Sequence, residues 1–233
     1  MDVGSVDGWR KAARWLLPPR CMICREKGAY GGDLCRYCTE SLPWNTSACH
    51  HCGLPLPAPG ECGACLSDPP PVAATTAVFV YGFPVDRLVP RFKFHQDLAA
   101  GRLLADLAAG PLGRAPRPDA LVPIPLHTRR LRERGYDQAL ELARPLARAL
   151  SIPLLADRLV RVRATAPQSE LHADARQRNV ARAFGVVGTG PLPAHVALLD
   201  DVMTTGATLH AAARTLRTAG VNRIDAWVIA RVP

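Results

Sequence analysis

Eight cysteines stand between residues 21 and 65, and every one belongs to a Cys-x-x-Cys pair. The pairs are Cys21/Cys24, Cys35/Cys38, Cys49/Cys52 and Cys62/Cys65, separated by ten, ten and nine residues. A segment this short and this rich in Pro and Gly buries too little surface to hold itself, so it needs cross-links or metal. Each knuckle presents two sulfurs to one ion, and tetrahedral Zn²⁺ takes four thiolates. Two knuckles joined by about ten residues make one zinc ribbon, so eight cysteines make two. Pairing in series gives Cys21, Cys24, Cys35 and Cys38 one ion and Cys49, Cys52, Cys62 and Cys65 the other. An interleaved pairing satisfies the same spacing. Four thiolates leave no position for a reactive water, so both Zn²⁺ ions read as structural. His50 and His51 flank the third knuckle, but a complete cysteine set does not need them.

Disulfides are the weaker reading of these pairs. The first twenty residues lack an apolar segment of signal-peptide length, and no run of about eighteen apolar residues occurs. The expectation is a cytoplasmic protein with no membrane insertion, where thiols stay reduced or bind metal.

Ser67-Asp68-Pro69-Pro70-Pro71 reads as a boundary. It divides the chain into residues 1–70, a short helix over 8–17 followed by the double zinc ribbon, and residues 71–233. Acidic and basic residues balance in the first part, so the formal net charge of +9 belongs to the second. Eight zinc-bound thiolates would make the first part more negative still. A polyanionic partner is therefore expected to meet the second part.

Beyond the boundary, strand and helix patterns alternate. Strands are expected at 77–81, 120–122, 159–163, 184–187, 196–199 and 223–231. Helices are expected at 85–94, 98–109, after Gln138 to Leu150, at 176–182 and from Leu209 to Leu216. Pro145 should kink its helix. A polar loop over 164–173, with Thr165 and Gln168, precedes Arg176, Arg178 and Asn179 and suits a lid. This order argues an α/β fold with a mostly parallel sheet flanked by helices.

The most informative stretch of the second part is Val196-Ala-Leu-Leu-Asp-Asp-Val-Met-Thr-Thr-Gly-Ala-Thr-Leu209. An apolar strand ends in Asp200 and Asp201, and a hydroxyl-rich turn, Thr204 to Thr208, opens a helix. Unpaired amides at a helix N-terminus favour phosphate. Gly206 lets the backbone come close to an anion, and Thr204, Thr205 and Thr208 add hydroxyls. The two carboxylates suit vicinal ribose hydroxyls, or a hydrated Mg²⁺ held through water. Such a turn lies where open α/β sheets bind ligands, beyond the carboxyl ends of strands. A Walker Gly-x-x-x-x-Gly-Lys is missing, which disfavours an NTPase.

A second anion-binding candidate follows the strand at 120–122. Pro123-Ile-Pro-Leu-His127 leads into Arg129, Arg130, Arg132 and Arg134, then Gly135-Tyr-Asp-Gln138. On a helix, Arg130 and Arg134 share one face and Arg129 and Arg132 another. One pair is expected to face a pyrophosphate and the other solvent. Arg91, Lys93 and His95 read either as a solvated basic helix end or as a further anion contact.

The string from Val196 resembles the phosphoribosyl-pyrophosphate (PRPP) signature of type I phosphoribosyltransferases. Four blocks in this order resemble the ComF family. They are the cysteine pairs after Leu16-Leu-Pro-Pro-Arg20, Val122 to Gln138, Arg163 to Val180, and Asp200 to Thr208. Asp137 stands where the family commonly carries Asn.

The resemblance implies a type I phosphoribosyltransferase-like domain behind a small zinc-ribbon module. It implies PRPP with Mg²⁺ as ligands and a link to natural competence. It places Asp200 and Asp201 at the catalytic centre. It assigns PRPP contacts to that pair, Thr204, Thr205, Gly206, Ala207, Thr208, Pro123, His127, Arg130 and Arg134. Two functions stay open: transfer of phosphoribose to an unknown acceptor, or a non-catalytic accessory of DNA uptake. The accessory would hold single-stranded DNA, or the uptake machinery, with PRPP as regulator.

Overall fold

The computed structural model describes residues 20–29, 33–163 and 183–233. The helix expected over 8–17, the polar loop from 164 and the helix over 176–182 lie outside them, with Thr165, Gln168, Arg176, Arg178 and Asn179.

Two one-turn helices, α1 (Arg36–Glu40) and α2 (Gly63–Ser67), belong to the cysteine module. Then come β1 (Ala74–Val80), α3 (Val85–Phe94), α4 (Leu98–Gly113), β2 (Ala120–Pro123), α5 (Thr128–Arg134), α6 (Gln138–Leu150), β3 (Leu159–Arg161) and β4 (Phe184–Val186). β5 (His195–Met203), α7 (Ala207–Thr218) and β6 (Arg223–Arg231) complete the described order. The main sheet runs β1-β6-β5-β2 with every pairing parallel, and β3 and β4 form a separate antiparallel pair. This is the mostly parallel, helix-flanked sheet expected from the sequence.

Parallel strands covered on both faces need near-continuous apolar runs, and β5 and β6 supply them. Ala197, Leu198, Leu199, Trp227, Val228 and Ile229 are essentially inaccessible. One core layer sets α3, α4 and α6 on one face of the sheet, with Phe79, Leu88, Leu104 and Leu142 inside it. The other layer sets α7 against the opposite face through Leu209, Ala212 and Leu216. Gly101 is required by packing: a Cβ there would lie 2.4 Å from the Phe92 ring, so its absence lets α4 close onto α3. Helices α3, α4 and α6 run through Pro90, Pro111 and Pro145. Each proline removes one helical N–H donor, and the burial of these helices outweighs that loss.

Both edges of the sheet are covered, as exposed strand edges invite pairing with other chains. Trp44 bridges antiparallel to Phe79 beside β1, their rings 4.7 Å apart. On the far edge Leu121 takes a parallel bridge from Leu154.

The cysteine module packs directly on the sheet. Thr75 of β1 donates from its amide to His50 O at 2.9 Å and from Oγ1 to His51 O at 2.6 Å. Arg231 Nε reaches Cys52 O at 2.9 Å. Cys21, Cys35 and Cys38 join the same apolar cluster as Phe79 and Leu88.

At the amino ends of β5 and β6 a buried carboxylate anchors a polar cluster that reaches the surface. Asp225 is 2% exposed; it accepts from His195 Nε2 at 2.9 Å and from Arg223 Nε at 3.2 Å. The His195 amide donates to Asp119 Oδ2 at 2.9 Å.

Candidate functional site

The eight cysteines resolve into two separate tetrads paired in series. Cys21, Cys24, Cys35 and Cys38 form one and Cys49, Cys52, Cys62 and Cys65 the other, with the sulfurs of each within 4.8 Å of one another. All eight are free thiols. Tetrahedral zinc with bonds of about 2.3 Å sets sulfurs about 3.8 Å apart. Cys24 to Cys35 is 3.5 Å and Cys52 to Cys62 3.7 Å, so both tetrads fit structural zinc. The amides of Cys38 and Cys62 donate to the sulfurs of Cys35 and Cys49 at 3.4 and 3.3 Å. Burial opposes ionisation of Cys21 and Cys49, but backbone amides around each sulfur hold both at about 6. A thiolate is the form that binds metal. His51 lies outside both tetrads and pairs with Glu61 at 3.1 Å.

The second site is a cleft of about 640 Å³ at the carboxyl ends of β2 and β5. Its lining includes Asp200, Asp201, Thr204, Thr208, Arg130 and Arg134. Residues 66 to 78 positions apart in sequence therefore meet where an open parallel sheet presents its ligand crevice. Arg130 and Arg134 share the inner face of α5, whereas Arg129 is exposed and pairs with Glu133 at 3.0 Å, and Arg132 is exposed. Pro123, His127, Thr205, Gly206 and Ala207 do not line the cleft. Pro123 is buried in β2 opposite Leu199. His127 caps α5, its Nδ1 accepting from the Arg129 amide at 3.2 Å. Thr205 Oγ1 accepts from the Ala207 amide at 3.4 Å, and Ala207 is buried.

The backbone conformation and the packing at Gly206 require glycine there. Its φ of +76° is left-handed, and a Cβ would lie 2.5 Å from Met203 Cε and 2.9 Å from His210 Nε2. Both a side chain's φ preference and the space forbid any other residue. His210 itself is pushed down to about 4, by burial first and then by Arg214 and Arg231, with Asp68 opposing. A histidine that resists protonation when folded costs stability as pH falls from its unfolded value of 6.5 towards 4. Wild type should lose about 1–2 kcal/mol between about pH 7 and 5 through this residue. His210→Leu should flatten that part of the profile, as read by urea unfolding across the range.

The acidic pair departs from the exposed turn expected at the end of a short strand. β5 continues through Asp200 and Asp201 to Met203, because β6 keeps pairing with it: Asp200 faces Val228 and Met203 faces Arg231. Asp201 is 5% exposed. Its carboxylate takes Lys93 Nζ at 3.0 Å on Oδ1 and 2.8 Å on Oδ2, and the Val202 amide at 2.8 Å on Oδ1. Asp200 Oδ1 accepts from the Asp201 amide at 2.9 Å. Burial pushes Asp200 up to about 7; Asp201 adds to the rise and Lys93 opposes it. Burial alone would depress Lys93, but the two aspartates hold it above the ordinary lysine value.

The 91/93/95 group divides between the two readings. Lys93 lines the cleft and holds the Asp201 carboxylate, His95 is exposed, and Arg91 grips Asp97 Oδ2 at 2.6 Å and the Met22 carbonyl of the first ribbon. The partner of Lys93 lies 108 residues away, so sequence alone does not name it. Asp137 is likewise occupied: Oδ2 accepts from the Leu126 amide at 2.8 Å and Oδ1 from Leu140 at 3.1 Å, tying the arginine loop to α6. Burial raises its carboxyl. Sequence reasoning also missed the roof of the cleft. Pro90, Lys93 and Phe94 of α3 line it, and the Arg134 guanidinium lies 5.3 Å over the Phe94 ring. Arg161 of β3 adds a further cation.

Hard oxygen donors beside a cationic wall suit a magnesium-bearing polyphosphate. Among the described residues no helix is long and apolar enough to cross a membrane.

Residues 12–66 match the model of the double zinc ribbon domain family. The DNA utilization protein YhgH of Salmonella typhi is 35% identical over 226 residues, covering 92% of this chain and 98% of that protein. Competence protein F of Haemophilus influenzae is 36% identical over 227 residues, 91% of this chain and 96% of that one. Among solved structures, Trypanosoma cruzi hypoxanthine phosphoribosyl transferase is 13% identical with a TM-score of 0.34, over 64% of this chain and 75% of that one. That likeness is too distant to bear on the site. Near-complete coverage by the two relatives at this identity, with both cysteine tetrads in place, means that the chain belongs to the ComF family of competence and DNA utilization proteins.

Proposed function

We propose that the cleft binds PRPP with Mg²⁺ in the service of DNA uptake or utilization, and that the protein is a phosphoribosyltransferase whose acceptor is open. One observation carries this reading: Asp200, Thr204 and Thr208 face Arg130 and Arg134 across a single cleft beyond the strand ends. The diol of a ribose suits the free oxygen of Asp200, and the arginines suit the pyrophosphate through charge-assisted bonds. The threonine hydroxyls suit the 5′-phosphate. Mg²⁺ would be held by the pyrophosphate and, through water, by Asp200, and would offset charge on the leaving group. Arg130 and Arg134 would take up the same developing charge.

The relatives' names supply the link to DNA. The exposed Arg129 and Arg132 favour a second reading beside the first, in which single-stranded DNA meets the outer face of α5. Two titrations separate them. In calorimetry with Mg²⁺, Asp200→Asn and Arg130→Ala should each weaken PRPP about 10- to 100-fold, the scale of one lost charge-assisted bond. In anisotropy, Arg129→Ala with Arg132→Ala should leave PRPP unchanged and lower the salt slope of DNA binding by about two phosphate contacts. Wild-type PRPP affinity in Asp200→Asn overturns the ribose placement. The Asp200/Asp201 double replacement is unsuitable, because it strands Lys93 without its buried partner.

A further inference from the structure

Of the two adjacent carboxylates only one is available. Asp201 accepts hydrogen bonds from Lys93 and the Val202 amide on Oδ1, keeps the Lys93 ammonium 2.8 Å from Oδ2 as an ion pair without a hydrogen bond there, and is 5% exposed. Asp200 commits Oδ1 to the Asp201 amide, leaving Oδ2 for the cleft that it lines. Lys93 reaches this position from the opposite wall, since α3 forms the roof while β5 forms the floor. Its ammonium lies within 3.0 Å of the Asp201 carboxylate oxygens and in the field of the Asp200 charge.

We propose that Lys93 is a resident counter-ion of the acidic pair, and that it makes divalent-cation binding there conditional on a polyphosphate. This rests on the reading of the cleft as a PRPP–Mg²⁺ site, and concerns the order in which the ligands enter. In the free protein the trio Asp200, Asp201 and Lys93 carries at most one net negative charge, too little to strip water from a hard cation such as Mg²⁺. An arriving polyphosphate supplies the missing negative charge and brings the metal with it. It also offers Lys93 a second anion, so the ammonium can be shared between Asp201 and the ligand. Asp201 therefore acts through Lys93 as a positioning residue, and Asp200 alone faces the ligand. The pairing has a further consequence for specificity. A neutral ribose or nucleoside offers Lys93 no second anion, so it finds the Asp201 carboxylate closed to it.

The test uses the full chain with its zinc in place and Mn²⁺ as the probe, with free Mn²⁺ read by electron paramagnetic resonance. Wild type should take up Mn²⁺ weakly alone and at least tenfold more tightly with PRPP present. Lys93→Met should bind Mn²⁺ alone at least tenfold more tightly than wild type, and Lys93→Arg should stay like wild type. Lys93→Met combined with Asp201→Asn should lose the gain, which assigns the metal to the pair. Zinc content and far-UV circular dichroism establish that each variant is folded. No gain in folded Lys93→Met, or a gain that persists without Asp201, overturns the proposal. PRPP calorimetry on wild type is scored separately. If PRPP fails to bind while Lys93→Met still gains Mn²⁺, the counter-ion role stands and the PRPP reading falls.

Discussion

Stripped of zinc, the protein should lose both ribbons and a substantial part of the stability of its main sheet. Structural zinc contributes about 10 kcal/mol or more of apparent folding energy per site in small ribbons, comparable to the whole stability of a domain. The ribbons have little core of their own: the second tetrad clusters with Leu54 and Leu56, and Cys52 packs against the sheet core. The first is different, because Cys21, Cys35 and Cys38 are part of the core that contains Phe79, Leu88 and Phe92. Its loss uncovers that core and breaks the Arg91 bond to Met22. A few kcal/mol lost in this way should lower the melting temperature of the remaining domain by roughly 10 °C. Release should also be stepwise. Cys24 is the exposed cysteine, whereas the second tetrad has three buried members and the half-buried Cys52. A chelator with a colorimetric zinc indicator should therefore remove one equivalent before the other, and Cys24→Ser should abolish the fast phase. One equivalent or none in the purified protein, or a metal-free chain that melts as the native one does, would contradict this.

Asp225→Ala should cost about 2–3 kcal/mol, because it removes the buried acceptor that His195 and Arg223 share. Asp225 is the sole acidic group in that cluster whose side chain is sealed from solvent at 3% exposure, and it holds the ends of two neighbouring strands in register. Asp225→Asn keeps the volume and one acceptor and should cost about 1–2 kcal/mol. Urea unfolding measures both. The cluster lies at the amino ends of β5 and β6, opposite the cleft, so PRPP affinity in the folded fraction should not change. An Asp225→Ala protein as stable as wild type would show that the carboxylate is solvated rather than sealed.

Much of this architecture is set by local chemistry. The cysteine spacing dictates two tetrahedral sites because a knuckle can bring only its own two sulfurs to one ion. The limits of α3 and β6 match the expected 85–94 and 223–231, since each is a pattern of one period bounded by residues that break it. That Arg130 and Arg134 share one face of α5 follows from helical geometry, whereas the choice of that pair for the cleft comes from the family resemblance.

Tertiary structure decided the rest, wherever a residue's role depends on a partner distant in sequence. Pairing of the knuckles in series rather than interleaved depends on how each ribbon folds back, which spacing leaves open. β5 outruns its apolar segment and carries Asp200 and Asp201 inside the sheet, because the neighbouring strand continues to Arg231 and satisfies their backbone. Lys93 and Arg91 read alike in sequence as basic residues at one helix end. They part company in the fold because one faces the cleft and the other the first ribbon. A buried carboxylate takes the cation that packing brings to it, and the identity of that cation is written nowhere near it in the chain.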